Sequence, residues 1–255
     1  MAPEPEGETS GSEAVEVVTE EVIMEVEQPA VAAGHSPEDA ERRSAEEADK
    51  EFKTPGILKV VYALFSPLLV PSYVSLIIFL LSLLAIMAPG AAVPYTLTIF
   101  GATCVVPFLT IYVLMKVDAV HNFEIYDARA RVVPYIIEFL ALGGVTLFLI
   151  YKGANSWIWT IYCGATAVAL VNFLLNFKIR ISNHCSAMGA LVAALIVVNR
   201  FGYPPASLFW WVIGAVFFAG LVGTVAMTHG RHTVWEVLAG YAMGFLGIIL
   251  FSMIR

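Results

Sequence analysis

His232 and Glu236 stand four residues apart, a spacing that on a helix puts both side chains on one side, one turn apart. A carboxylate paired with an imidazole in this way fixes the ring and favours one tautomer. A histidine that acts as a nucleophile or general base needs that orientation. Arg231 adjoins the pair, and Arg129, Arg131 and Arg180 lie in polar segments that also carry His121 and His184. A guanidinium matches phosphate geometry bidentately, so arginines beside histidines point to an anionic substrate. Phosphoryl transfer at a membrane surface is the simplest chemistry that uses all of these groups, and it requires no metal or other cofactor. The same residues also have plainer readings. Arginine and lysine at the ends of spanning helices commonly enforce topology, and a single loop histidine is ordinary polar surface. His229 and His232 with Glu236 could also supply two metal ligands and a carboxylate from one helix face. A full coordination sphere then needs His184 or His121.

The elements that must position these groups are membrane-spanning helices. Hydrophobic residues make up 59% of the chain and charged residues 14%, and mean hydropathy is +0.79. A soluble domain carries about a quarter charged residues, so the excess apolar surface needs a non-aqueous partner. A spanning helix takes about 20 largely apolar residues. Seven candidates run over 67–88, 94–115, 133–151, 156–177, 185–199, 205–227 and 233–254. The fifth is short and must be extended by its neighbours. Residues 56–66 read either as an interfacial helix or as the first turns of a kinked first span, with Pro67 and Pro71 supplying the kink. The expected fold is therefore all-α, a polytopic transmembrane bundle of six or seven spans. Trp157, Trp159, Trp210 and Trp211 fall near span ends, where an aromatic belt would place them.

This layout puts the loop at 116–132, the loop at 178–184 and the turn at 228–232 on one membrane face, because two spans separate each from the next. That face collects His121, His184, His229 and His232 together with Lys116, Arg129, Arg131, Lys178, Arg180 and Arg231. The opposite face holds Lys152, Arg200 and Arg255. The excess of bases assigns the histidine face to the cytoplasm, unless several of them belong to the site and not to the topology signal.

Charge divides the chain at residue 51. Residues 1–51 carry sixteen of the 21 acids against three bases, a net of −13, and the rest of the chain carries +6. The segment has no aromatic residue before Phe52. It cannot bury enough apolar area to offset chain entropy, so a disordered acidic tail is expected over 1–51, ahead of a membrane domain over 52–255. The first apolar run begins near residue 57, too late for a secretory leader. Cys104, Cys163 and Cys185 are far apart, with neither zinc spacing nor a paired framework, and read as small packing residues.

Three segments of the body resemble the motifs of the type 2 phosphatidic acid phosphatase superfamily, in a divergent bacterial membrane branch. Arg129-Ala-Arg131-Val-Val-Pro134 is similar to the first, and Arg180-Ile-Ser-Asn-His184 followed by Ala187-Met-Gly189 to the second. Gly220-Leu-Val-Gly-Thr224 through Gly230-Arg-His232-Thr-Val-Trp-Glu236-Val-Leu-Ala-Gly240 is similar to the third. Leu64-Phe-Ser-Pro-Leu-Leu-Val-Pro-Ser-Tyr73 resembles the branch's first helix, so the likeness covers residues 60–250. It implies a phosphatase of lipid phosphates or pyrophosphates in the bacterial inner membrane. Its partners would be membrane lipids rather than nucleic acid, and its site would face the periplasm. By position, His232 would be the nucleophile, with Glu236 orienting it in place of the usual Asp. His184 would protonate the leaving oxygen, and Arg129, Arg131, Arg180 and Arg231 would hold the phosphate. One departure stands out. The family arginine six residues before the last histidine is Ala226 here. Losing one preorganised donor can cost on the order of 2.7–4 kcal/mol of transition-state stabilisation. Either Arg231 or His229 substitutes for it, or the chain is a non-catalytic descendant that binds or moves anionic lipid.

Overall fold

Apolar runs of this length can satisfy their backbone hydrogen bonds in lipid only within helices or closed barrels, and here they form helices. The computed structural model describes residues 56–116, 132–176, 181–228 and 232–254 and shows no strand among them. In chain order the helices are α1 (Gly56–Leu64), α2 (Val70–Leu81), the one-turn α3 (Leu84–Met87), α4 (Ala92–Phe100) and α5 (Val106–Lys116). They continue with α6 (Val132–Tyr151), α7 (Ser156–Leu175), α8 (Asn183–Phe201), α9 (Phe209–Thr228) and α10 (Val234–Met253). Six segments among the described residues are long and apolar enough to span a bilayer: Pro89–Val113 and each of α6 to α10. Side chains such as Leu140, Leu147, Phe217 and Leu246 stand more than half exposed around the bundle. Exposed apolar area of this extent needs lipid to cover it. The architecture is that of an integral membrane protein. The acidic tail expected over 1–51 lies outside the described residues.

The single span expected over 67–88 is instead broken into α2 and α3. A helix of 12 residues covers only about 18 Å, short of the roughly 30 Å hydrocarbon core. The break has a local cause at Ser82, which is fully buried. Its Oγ donates to the Ile78 carbonyl and accepts from Leu84 N–H, while Leu83 N–H leaves the helix to bond Gly202 O at 2.9 Å. A serine hydroxyl that competes for helix hydrogen bonds in this way ends the run. Before α2, residues 65–69 form turns at Pro67, so α1 stands as a separate helix. The next span holds a π turn over Gly101–Val105, just ahead of Pro107, which has no N–H to close its own i−4 bond. The fifth expected span is extended as anticipated, to the 19 residues of α8.

The tightest packing in the bundle sets α10 against α8 and α7, and glycines permit it. A Cβ on Gly240 would come within 2.8 Å of Ser182 O and 3.0 Å of Cys185 Cβ, and one on Gly244 would collide with Ser186 O. From the other side, a Cβ on Gly189 would strike the Tyr241 backbone. The pattern Gly240-x-x-x-Gly244 is the small-residue spacing that lets two membrane helices approach backbone to backbone. Gly164 of α7 meets Gly247 of α10 in the same manner, at 2.8 Å from a Cβ to the carbonyl oxygen. The core that results centres on Ile78, Leu149, Tyr162, Met188, Val198 and Ile248.

Two expectations about aromatic residues divide. Trp210 and Trp211 open α9 and are largely exposed, as a belt requires, but Trp157 is only 8% exposed and packs in the core. Its indole turns inward from the first turn of α7, where the bundle is already closed.

Candidate functional site

The close α8–α10 contact places the N-termini of both helices at the same end of the bundle, and the end of α9 joins them there. Cys185 of α8, Ala226 of α9 and Val237 of α10 form one buried cluster, with Tyr62 of α1, Met227 and Tyr241 packed around it. Each of the three buried residues is a sequence neighbour of, or departs from, a residue singled out above. Cys185 follows His184, Val237 follows Glu236, and Ala226 stands where the family arginine would be. The shared face expected for residues 184, 228 and 232 is therefore one end of the folded bundle.

His232 lies just outside α10, whose N-cap is Thr233. The contact expected from helical i, i+4 spacing is made, but by a different route. Glu236 N–H donates to Thr233 Oγ1 at 3.4 Å, and Thr233 N–H donates to Glu236 Oε2 at 3.0 Å, a complete capping box. The same Oε2 stands 3.2 Å from His232 Nδ1. The carboxylate is held by the helix start and in turn holds the imidazole. In the tautomer whose Nδ1–H donates to that carboxylate, Nε2 carries the lone pair that nucleophilic attack requires. Both side chains are mostly covered, at 14% and 20% exposure.

The capping box also accounts for Glu where the resembled family has Asp. A residue at the third helical position must reach back to the N-cap N–H, and Glu or Gln has the length to do so.

His184 occupies the first turn of α8, and its ring stacks on Tyr62 with centroids 3.9 Å apart and planes within 15°. No pattern in the sequence singles out Tyr62, which reaches His184 from α1 across more than a hundred residues of chain. Asn183 turns the other way, donating from Nδ2 to Glu138 Oε2 of α6 at 2.7 Å. Its Oδ1 accepts from Asn172 Nδ2 of α7 at 3.1 Å. Glu138 is one of the five acids that follow residue 51, and no local pattern in the sequence points to these partners.

Ala226 is 1% exposed inside its cluster, and the stacked Tyr62 lies against that cluster. A longer side chain at 226 would have to displace residues packed in this cluster, against which Tyr62, Met227 and Tyr241 lie. Arg129, Arg131, Arg180 and Arg231, expected to hold phosphate, lie outside the described residues, as do His121 and His229. Among the described residues no group of three or more His, Cys, Asp and Glu side chains gathers in metal-binding geometry. No protein-family model, curated protein or solved structure matches this chain.

Proposed function

We propose that the chain is a membrane phosphatase-like enzyme that hydrolyses a lipid phosphate or pyrophosphate through His232. The observation that carries this reading is the His232–Glu236 pair, a covered imidazole oriented by a carboxylate that is itself fixed by the start of α10. His232 Nε2 would attack phosphorus, and His184 would give a proton to the departing oxygen. The phosphohistidine would then be hydrolysed by water. The starts of α8 and α10 converge there, and free N–H groups at helix N-termini favour an anion.

A second observation supports a lipid as the carrier of that phosphate. An apolar groove of about 680 Å³ lies between α2, α8 and α9, lined by Phe65, Tyr73, Leu195, Trp211, Gly214 and Phe218 among others. Phe65 packs on Phe218 with centroids 5.0 Å apart, and it stands three residues from Tyr62, the ring stacked on His184. A chain seated in the groove would lead from the bilayer toward the histidines.

The test is phosphate release by the purified chain from a panel of phosphatidic acid, isoprenyl diphosphates and other lipid phosphates. His232→Ala should abolish release, and turnover unchanged by that substitution would remove the mechanism.

A non-catalytic reading, a protein of this fold that binds or moves anionic lipid, is favoured by the sealed position of Ala226 and the ring lying over His184. Under that reading the chain binds lipid phosphate in vesicle-capture assays with no release, and His232→Ala leaves capture intact.

A further inference from the structure

We propose that Glu138, Asn172, Asn183 and Ser186 form an intramembrane binding site for a sodium ion. This inference rests on a different set of side chains from the proposed phosphatase chemistry and does not depend on it. The four residues line one small cavity of about 50 Å³ between α2, α6, α7, α8 and α10, whose remaining walls are almost wholly apolar. An ionisable side chain in such a place is expensive and needs a compensating partner. The hydrogen-bond partner of Glu138 from α8 is Asn183, a neutral amide.

The direction of the hydrogen bonds decides what the cavity can hold. Asn183 donates to the carboxylate, so its carbonyl oxygen faces Asn172, which must donate in turn. Both amide groups thus spend donors toward Glu138. Asn172, 2% exposed, is left with an Oδ1 that meets no donor, and the buried Oγ of Ser186 likewise has no partner. The cavity therefore presents acceptors: a carboxylate, an amide oxygen and a hydroxyl oxygen. A proton on Glu138 would remove its charge but leave Asn172 Oδ1 orphaned. A water would satisfy Asn172 but leave the charge uncompensated. A small monovalent cation does both from one position, where the alternative needs a proton and a water together. Hard oxygen ligands suit sodium, and one carboxylate balances one positive charge, whereas a divalent ion would leave an excess charge in an apolar site.

The cavity lies toward one end of the bundle. Glu138 lies in the second turn of α6, about 9 Å along the helix from its start. Asn172 and Asn183 lie in the last turn of α7 and the first turn of α8. An ion would enter from the loop end of the bundle, not through its middle.

The experiment uses the purified full-length chain in detergent, exchanged into choline chloride. Sodium chloride should raise the thermal midpoint saturably by several degrees, because an ion bound only by the folded state stabilises it by mass action. Potassium chloride at equal ionic strength should not. Equilibrium binding of radioactive sodium should approach one ion per chain. Glu138→Gln keeps an acceptor for Asn183 and should lose both the binding and the sodium response. Ser186→Ala keeps the carboxylate and should raise the half-saturating sodium concentration about tenfold, the loss expected for one ligating oxygen. Sodium binding no greater in the wild type than in Glu138→Gln would overturn the proposal, as would equal responses to sodium and potassium. If Glu138→Gln does not fold, an unchanged half-saturation in Ser186→Ala overturns it instead.

Discussion

The Tyr62 ring lies flat against the His184 imidazole, 3.9 Å away, and so joins a helix outside the six long spans to the centre of the candidate site. A stack of this kind is worth about 0.5–1.5 kcal/mol beyond the area it covers. Its larger effect is to restrict the imidazole to one orientation. Tyr62→Leu keeps apolar bulk and removes the stacking. It should lower the thermal midpoint modestly and reduce phosphate release several-fold, measured on the same purified sample. A rise in release would mean that the ring obstructs His184 rather than orienting it.

One oxygen, Glu236 Oε2, accepts from Thr233 N–H and stands beside His232 Nδ1, so structural and catalytic roles can be separated by substitution. Glu236→Gln retains a side chain competent for the capping box but loses the carboxylate charge. It should fold with a near-normal thermal midpoint and release phosphate at least tenfold more slowly. Thr233→Ala removes the N-cap oxygen and should cost about 0.5–2 kcal/mol of stability. If Glu236→Gln releases phosphate at the wild-type rate, the carboxylate serves the helix alone.

The α8–α10 crossing makes a sharper prediction about the fold. A methyl at Gly244 would collide with Ser186 O, part of a packed backbone that cannot turn aside as a flexible side chain can. Overpacking of an interior costs about 1–3 kcal/mol and occasionally more. Gly244→Ala should therefore lower the thermal midpoint by many degrees, or prevent recovery of folded protein from detergent. Gly144→Ala is the control. Nothing lies within 4 Å of a Cβ there, and alanine is the better helix former, so stability should hold or rise.

What the sequence made legible follows from the range of each signal. Apolar runs of 19 to 25 residues are local, so five spans and the extended fifth candidate could be placed from composition and length. The break at Ser82 could not, because it depends on Leu83 N–H finding Gly202 O, more than a hundred residues on. The His232–Glu236 contact was legible because four residues separate the pair. The capping box rests on a different spacing, the three residues from Thr233 to Glu236, which the i, i+4 reading of the same glutamate passes over. Tyr62 and the Glu138–Asn183–Asn172 chain were invisible for a different reason. Each joins side chains on separate helices, and pattern within a single helix does not encode which helices are neighbours. The arginines that the resemblance implies as phosphate ligands lie outside the described residues.

Ala226 offers the most discriminating test, because it is buried at the position where the resembled motif carries an arginine. The side chain is 1% exposed between Cys185 and Val237, with Tyr62 packed against the group. An arginine there must displace that ring and bury a charge, so Ala226→Arg alone should destabilise the protein by about 3 kcal/mol or more. Tyr62→Ala opens the space beside His184. In the double variant the guanidinium could then enter the site as an anion-binding group. The double variant should therefore be more stable than Ala226→Arg, a coupling read directly from a double-mutant cycle in thermal denaturation. Activity then separates the two functional readings. In a working phosphatase the double variant should release phosphate faster than Tyr62→Ala, because a preorganised donor beside the transferring group can contribute on the order of 2.7–4 kcal/mol. A non-catalytic lipid-binding protein would show the same rescue of stability and no gain in release.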